Sequence, residues 1–357
     1  MQNGMRILQV LAGAPHGGAE TAFVDMCIAM HDAGQVIEVV TRANEGRVPR
    51  LRSAGITVHL LPFGGAVDIY TPFALRRIVS KFRPDIVQSW MSRASQKVTR
   101  WSASMGIDPY VVVSRLGGYY KIKNFKNTDY FVTITPDLKK YLVEKCDVQD
   151  DRVLQINNFA ETEVFETAID RGAYGVPEGA QLCLGLGRLH SSKAFDTLIR
   201  AVAALPDVYL WIAGEGPDRS DLEALIDDLK VQNRVKLLGW RDDRAALFDA
   251  ADICVFSSRY EPFGTVFVQA WAQKTPLVTT DSDGPRQFVR HEEDGLVTPI
   301  DDISLMSASI SRVISDDDLR NKMVENGYHR YLREFTKDNT VQKYLTYFRH
   351  IRKLEKL

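Results

Sequence analysis

Two successive α/β domains, each built on a parallel sheet with crossover helices, are predicted by three observations. The chain has 357 residues, more than one hydrophobic core ordinarily organises. Short apolar runs rich in Val and Ile recur along its length with helical patterns between them, as strands covered on both faces require. Several of these runs end in a glycine-bearing loop that opens a helix, and such loops lie at the carboxyl edge of an open parallel sheet, where ligands bind.

In the first half the strand candidates are RILQVL, VIEVV, ITVHLL, DIVQSW, YVVVS, YFVTI and RVLQI. RILQVL leads through a glycine loop into a helix beginning near Ala19. A connecting segment around Phe159 to Gly179 follows, and the second half continues with LCLGLG, VYLWIAG, RVKLLG, ADICVFSS, TPLVTT and DGLVTP. The tail places Val341, Tyr344, Leu345, Phe348 and Ile351 at helical spacing, so it reads as an amphipathic helix that packs on a core. The domain boundaries expected are 1–160, 161–335 and, for the tail helix, 336–357, with the tail returning toward the first domain.

Composition is that of an ordinary globular protein, 45% apolar and 25% charged. The opening MQNGMRILQVL soon meets Gly and Pro and does not read as a signal peptide, and no apolar stretch approaches the roughly 20 residues that cross a bilayer. Cys27, Cys146, Cys183 and Cys254 are far apart and lack metal spacing, so reduced cysteines in a cytoplasmic protein are expected. The net charge of −1 conceals an asymmetry: residues 1–160 hold 20 Lys and Arg against 14 Asp and Glu, and the remainder 25 against 32. Part of the basic excess clusters at Arg76, Arg77, Lys81 and Arg83, and again at Lys121, Lys123 and Lys126. Each cluster suits a solvated helix face; the sharper reading is a surface for anionic lipid or phosphorylated glycan, which would put the protein at the inner face of the cytoplasmic membrane. No nucleic-acid partner is expected.

The segment SSRYEPFGTVFVQAWA sets Glu261 and Gly264 on a loop between the buried run ADICVFSS and a new helix. The start of that helix offers free N–H groups and a positive dipole end suited to phosphate, and the nearby carboxylate suits hydroxyls. In LCLGLGRLHSSKAFDTLIRAV, Arg188 and Lys193 share one strand-to-helix loop, and two cations at a helix start can hold a diphosphate. A dinucleotide fingerprint fails there, because His190 stands where a third glycine should follow Gly185 and Gly187. Gly17 and Gly18 permit close backbone approach before the first helix, but no Lys-Ser or Lys-Thr pair follows to make a Walker motif. Gly214, Gly216 and Gly239 also sit at strand ends, and for Gly216 turn geometry is a sufficient reason. Asp281 and Asp283 could be taken for metal-binding carboxylates, but their place after TPLVTT suits a turn and helix cap. No metal or other cofactor is expected.

Taken in order, these motifs resemble glycosyltransferase family 4, the retaining, nucleotide-sugar-dependent enzymes of GT-B fold, across nearly the whole chain. HGGAE at 16–20 is similar to the family's amino-terminal glycine motif, INNF at 156–159 to its interdomain segment, and GRLHSSKAFDTLI to its G-R-x(4)-K segment. SSRYEPFG followed by TPLVTTDSDGPRQF is similar to the donor-sugar segment and the loop after it. The resemblance implies two Rossmann-like α/β/α domains facing across a donor and acceptor cleft. Arg188 and Lys193 would grip the diphosphate and Glu261 would contact the transferred sugar. Gly17, Gly18, Gly187, Gly214, Gly239, Phe263, Gly264, Thr265 and Gln269 would line the donor, partly through backbone amides.

Three departures stand out. Gln269 and Gln287 replace glutamates usual in the family, and VVVSRLGGYYKIK has no histidine where many members carry one near the reaction centre. Arg115 can fill that space, or Gly117 and Gly118 can leave it open, which makes Arg115, Gly117 and Tyr119 the acceptor-side candidates. The implied activity is transfer of a sugar from a nucleotide-diphosphate sugar, the co-substrate, to a glycan or glycolipid acceptor such as a lipopolysaccharide core. A non-catalytic two-domain sugar-binding protein shares the layout, and release of free nucleoside diphosphate separates the two.

Overall fold

The computed structural model describes residues 4–14, 17–65, 67–162 and 164–356, so His16 of the amino-terminal glycine motif lies outside the described residues. Two compact units appear, Met1–Asn158 with Lys337–Leu357, and Phe159–Thr336.

The first unit runs β1 (Arg6–Leu11), α1 (Gly18–Asp32), β2 (Val36–Thr41), α2 (Arg47–Ser53), β3 (Thr57–Leu60), α3 (Tyr70–Phe82), β4 (Ile86–Trp90), α4 (Met91–Ser95), β5 (Val111–Leu116), β6 (Tyr130–Thr133), α5 (Pro136–Cys146) and β7 (Val153–Gln155). Its sheet has the order β3-β2-β1-β4-β5-β6-β7, and every neighbouring pair is parallel. The apolar runs become strands because each is covered on both faces: β4 and β5 are buried at every residue. In α3 the i, i+4, i+7 spacing turns Leu75, Val79 and Phe82 into the core and leaves Phe73, Arg76 and Arg77 outside. Helix α5 starts where Thr135 accepts a hydrogen bond from the Leu138 N–H (3.3 Å), with Pro136 just inside the start.

The second unit runs β8 (Gln181–Leu186), α6 (Phe195–Ala203), β9 (Val208–Ala213), α7 (Arg219–Asp228), β10 (Val235–Gly239), α8 (Arg244–Ala250), β11 (Ile253–Phe256), α9 (Thr265–Ala272), β12 (Leu277–Thr280), α10 (Pro285–Phe288), β13 (Leu296–Thr298), α11 (Ile303–Ser315) and α12 (Asp317–Glu334). Its parallel sheet has the order β10-β9-β8-β11-β12-β13. Asp302 and Asp316 cap α11 and α12, accepting from Leu305 and Leu319 N–H at 2.9 Å each. The thirteen strands among the described residues fall on the thirteen apolar runs of the sequence.

The tail forms α13 (Lys337–Leu354) and belongs to the first unit, burying Val341, Tyr344, Leu345, Phe348 and Ile351. Phe159 and Ala160 fall to the second unit rather than the first. The physical reason is bonding: the Ala160 N–H donates to the Phe335 carbonyl (3.2 Å) and the Tyr331 hydroxyl donates to the Ala160 carbonyl (3.2 Å). The four cysteines are free thiols. Burial raises the Cys183 thiol pKa and pushes that of Cys254 up to about 12, so both stay protonated core residues.

Candidate active site

The second sheet changes direction of build between β8 and β11, which are neighbours although their connections leave toward opposite edges. At such a switch point the loops at the carboxyl ends diverge and open a crevice. The loop after β8 carries Arg188 and Lys193, and the loop after β11 carries Glu261, Phe263 and Gly264. Lys193 Nζ contacts Glu261 Oε2 and lies 5.4 Å from the centre of the Phe256 ring. Both charged side chains are about four-fifths buried, with exposures of 19% and 18%, so the pair is fixed in a partly desolvated place. Arg188 beside it is exposed and forms no ion pair with a described residue.

Arg259 joins these two loops, and nothing in the sequence pattern singled it out. Its N–H donates to the Ser192 carbonyl (2.8 Å), its guanidinium to the Ser191 carbonyl (2.7 Å), to Asp196 (2.7 Å) and to Asp301 (2.8 Å). Its hydrogen bonds to Asp196 and then to Asp301 raise its pKa, which holds it cationic as a structural tie. The Ser257 hydroxyl adds a bond to the Lys193 carbonyl at 2.8 Å.

Gly264 caps α9 with φ +91°, and a Cβ there would stand 2.6 Å from the Phe256 ring, so only glycine fits. No side chain caps this helix, which leaves its first N–H groups available to a ligand. Thr265 and Gln269 share one face of α9 by their i, i+4 spacing, and both are half-buried. Below them Phe263 packs with Phe267, Phe288 and Phe335 at ring separations of 5.4, 5.2 and 6.4 Å; its side chain serves the core. The loop after β12 closes on the same place: Gly284 N–H donates to the Glu261 carbonyl at 2.7 Å.

The other candidate glycines let neighbouring loops touch. A Cβ on Gly214 would lie 1.8 Å from the Gly187 carbonyl oxygen, while the Gly214 N–H donates to the Gly239 carbonyl (2.8 Å). Gly216 opens a turn, its carbonyl accepting from the Arg219 N–H (3.3 Å), but its φ is not positive, and a Cβ would lie 2.2 Å from the Leu189 carbonyl oxygen, so close approach is the reason for glycine. Asp281 accepts from the Ile300 N–H (3.1 Å) and Asp283 pairs with Arg286 (3.0 Å), so the two carboxylates are spent on separate partners. In the first unit, Gly17 and Gly18 open α1, and Glu20 accepts from the Ala14 N–H at 2.7 Å.

Comparison with known proteins identifies the family and the fold. The family described as Glycosyl transferases group 1 matches residues 166–330, and the Glycosyl transferase 4-like domain matches 17–158. The lipopolysaccharide core biosynthesis glycosyltransferase LpsE of Rhizobium meliloti is 33% identical over 92% of this chain and 95% of its own. The chain is a family 4 glycosyltransferase. Its GT-B fold is shared with a glycosyltransferase from Rickettsia africae, at a TM-score of 0.85, 19% identity and coverage of 98% and 99% of the two chains. It is shared also with Anabaena HepE in complex with UDP-glucose, at a TM-score of 0.81, 20% identity and coverage of 99% and 100%.

One acceptor-side candidate of this glycosyltransferase lies elsewhere than expected. Arg115 is 1% exposed, stacks 4.1 Å from the centre of the Trp90 ring and bonds to Asn158. Burial first of all lowers its pKa, opposed by Tyr344, so Arg115 is an interior residue of the first unit and presents no surface to an acceptor. Gly117 lies against it, and a Cβ there would stand 3.3 Å from Arg115 Nη1. Tyr119 is 43% exposed and meets Tyr141 edge-on at 5.2 Å.

Proposed function

We propose that this glycosyltransferase moves a sugar, with retention, from a nucleoside-diphosphate sugar to a hydroxyl of a glycan or lipid-linked acceptor in lipopolysaccharide core or other cell-surface polysaccharide synthesis. The observation that carries the reading is the Lys193–Glu261 pair at the switch point, beside exposed Arg188 and the uncapped start of α9. The donor is held mainly by the second unit and the acceptor by the first. Glu261 accepts hydrogen bonds from the sugar hydroxyls, and the amides at Gly264 and Thr265 meet a hydroxyl or the distal phosphate. Gln269 bonds to the ribose hydroxyls through its amide.

The bond from the anomeric carbon to the phosphate oxygen breaks as the acceptor oxygen bonds to that carbon on the same face. The acceptor proton passes to the departing phosphate oxygen, so a side-chain base is not required. Arg188, Lys193 and the helix-start amides stabilise the charge growing on the diphosphate, an interaction stronger in the transition state than in the ground state. The lipopolysaccharide role of the Rhizobium relative and the UDP-glucose bound by the Anabaena neighbour support the acceptor and donor classes.

Peripheral contact with an anionic membrane completes the reading, and α3 and the residues before it are its basis. Val67 (90% exposed), Ile69 (85%), Tyr70 (60%) and Phe73 (63%) are exposed within seven residues of chain, and Arg76 and Arg77, which follow on α3, are exposed as well. A short run of exposed apolar side chains followed by cations suits an acyl boundary under anionic headgroups. No helix among the described residues is long and apolar enough to cross a membrane.

The test of the activity is release of nucleoside diphosphate from a panel of UDP-, GDP- and ADP-sugars with lipopolysaccharide core as acceptor. Arg188→Ala with Lys193→Ala should abolish release while the protein stays folded by circular dichroism; unimpaired release from that variant would refute the assignment.

A further inference from the structure

The first sheet has its own switch point, between β1 and β4, and three arginines gather there for which the donor site has no use. Leu11 pairs with Thr41 on one side and with Trp90 on the other. The residues that follow these three therefore share one carboxyl edge: Gly13 and Ala14 after β1, Arg42 after β2, and Arg93 in the turn of helix after β4. Arg47, at the start of α2, reaches the same edge. Its Nη1 donates to the Ala14 carbonyl at 3.2 Å, and a Cβ on Gly13 would stand 2.8 Å from that nitrogen.

The charges at this edge do not balance. Arg47 is 5% exposed, its Nε has no partner, and the carboxylate facing it is Glu20, which is itself buried and engaged with the Ala14 N–H. Arg42 donates from Nε to the Pro62 carbonyl (2.9 Å) and from Nη2 to the Phe63 carbonyl, so carbonyls rather than a carboxylate hold it. Asp68, the acidic group nearest in effect to Arg42, is held by Lys97 (3.7 Å) and by the N–H groups of Gly64 (2.7 Å) and Thr71 (2.9 Å). Arg93 is exposed and forms no ion pair with a described residue. Desolvation, then the like charge of Arg93, lowers the pKa of Arg42 and outweighs the opposing charge of Asp68, the direction expected when cations converge.

We propose that Arg42, Arg47 and Arg93 form an anion subsite at the carboxyl edge of the first sheet, which takes a phosphate or carboxylate group carried by the acceptor. The word acceptor rests on the glycosyltransferase reading; the anion site does not. Arg42 and Arg93 reach the anion with charge-assisted N–H groups, and Arg47 fixes the loop of Gly13 and Ala14 that borders it. An acceptor sugar bearing phosphate or a uronic acid would then be favoured over its neutral counterpart.

The experiment titrates inorganic phosphate, and separately glucuronate, into the full chain saturated with UDP, and follows both by calorimetry. Arg93→Gln and Arg42→Gln should each weaken the bound probe about tenfold, with UDP affinity within about twofold of the parent. Arg93 is exposed, so its variant reports on binding even where loss of Arg42 disturbs the fold. A response to phosphate alone identifies a phosphorylated acceptor, and a response to glucuronate alone a uronic one. Equal affinity of parent and Arg93→Gln for both probes, or no binding of either, overturns the proposal. Failure of UDP to bind would instead count against the donor site while leaving the anion titration readable.

Discussion

At the scale of single residues, the donor-side loop of the second unit makes unequal demands on its members. Gly264 has no substitute: φ +91° strains any other residue, and a Cβ would stand 2.6 Å from Phe256. Gly264→Ala should cost about 3 kcal/mol of stability, combining left-handed strain and overpacking, and urea denaturation would measure it. A loss under about 1 kcal/mol would show that the loop relaxes freely. Gln269 is the opposite case, a half-buried residue on α9 whose replacement leaves the packing alone. A carboxylate accepts hydroxyl hydrogen bonds more strongly than an amide by about 1 kcal/mol. Gln269→Glu should therefore lower KM for the nucleotide sugar about fivefold with kcat little changed, since ribose contacts serve ground and transition states alike. A change confined to kcat would place residue 269 at the reaction centre instead.

At the scale of elements, strands were legible and surfaces were not. Parallel strands covered on both faces read as unbroken apolar runs, which is why RILQVL or ADICVFSS could be recognised without neighbours. Arg188, Lys193 and Glu261 were legible because each sits at a fixed offset from a strand end. Arg259 was not, because its partners come from Ser191, Ser192, Asp196, Thr197 and Asp301, which only the folded loops bring together. Arg115 sat in a motif window yet proved to be interior, since burial behind Trp90 and Tyr344 is invisible in one strand's sequence. The exposed apolar residues just before α3 and in its first turn were hidden for the converse reason: Val67, Ile69, Tyr70 and Phe73 look like core residues until their exposure is seen. Their segment is braced rather than loose. Lys97 Nζ donates to the carbonyls of Gly65 (3.3 Å) and Asp68 (2.8 Å), and Asp68 receives the Thr71 N–H. Hydrogen bonds from Thr71 lead the causes that lower the Asp68 pKa to about 2, so acid loosens this brace only as pH falls from about 4 toward 2. Replacing Ile69 and Phe73 by Asp should reduce sedimentation with vesicles containing anionic lipid at least tenfold, because two apolar anchors are lost and two like charges added. Nucleoside diphosphate release with a soluble acceptor should be retained. Unchanged sedimentation of the double variant would assign membrane contact to another surface.

At the scale of the whole molecule, the two units differ in how the chain builds them. The second, Phe159–Thr336, is continuous, whereas the first needs the distant segment Lys337–Leu357 as well as Met1–Asn158. That segment supplies core: α13 buries Val341, Tyr344, Leu345, Phe348 and Ile351, packs on α1 and pairs Arg352 with Asp85 at 2.8 Å. Full burial of such side chains contributes about 1.5–3 kcal/mol each, so five of them approach the whole stability of a typical domain, about 5–15 kcal/mol. Losing α13 would also uncover the interior around Arg115 and Trp90, where Tyr344 lies against the guanidinium. A chain ending at residue 336 should therefore keep a cooperative second unit and lose the first, whereas residues 159–336 alone should fold. Calorimetry distinguishes the cases: the full chain should absorb the heat of two units, and both shortened chains that of one. UDP stabilisation of the 159–336 piece would further assign donor binding to that unit. Two intact transitions in the chain ending at residue 336 would mean that the first unit's sheet and its covering helices suffice without α13, and that the burial of its apolar face is offset elsewhere.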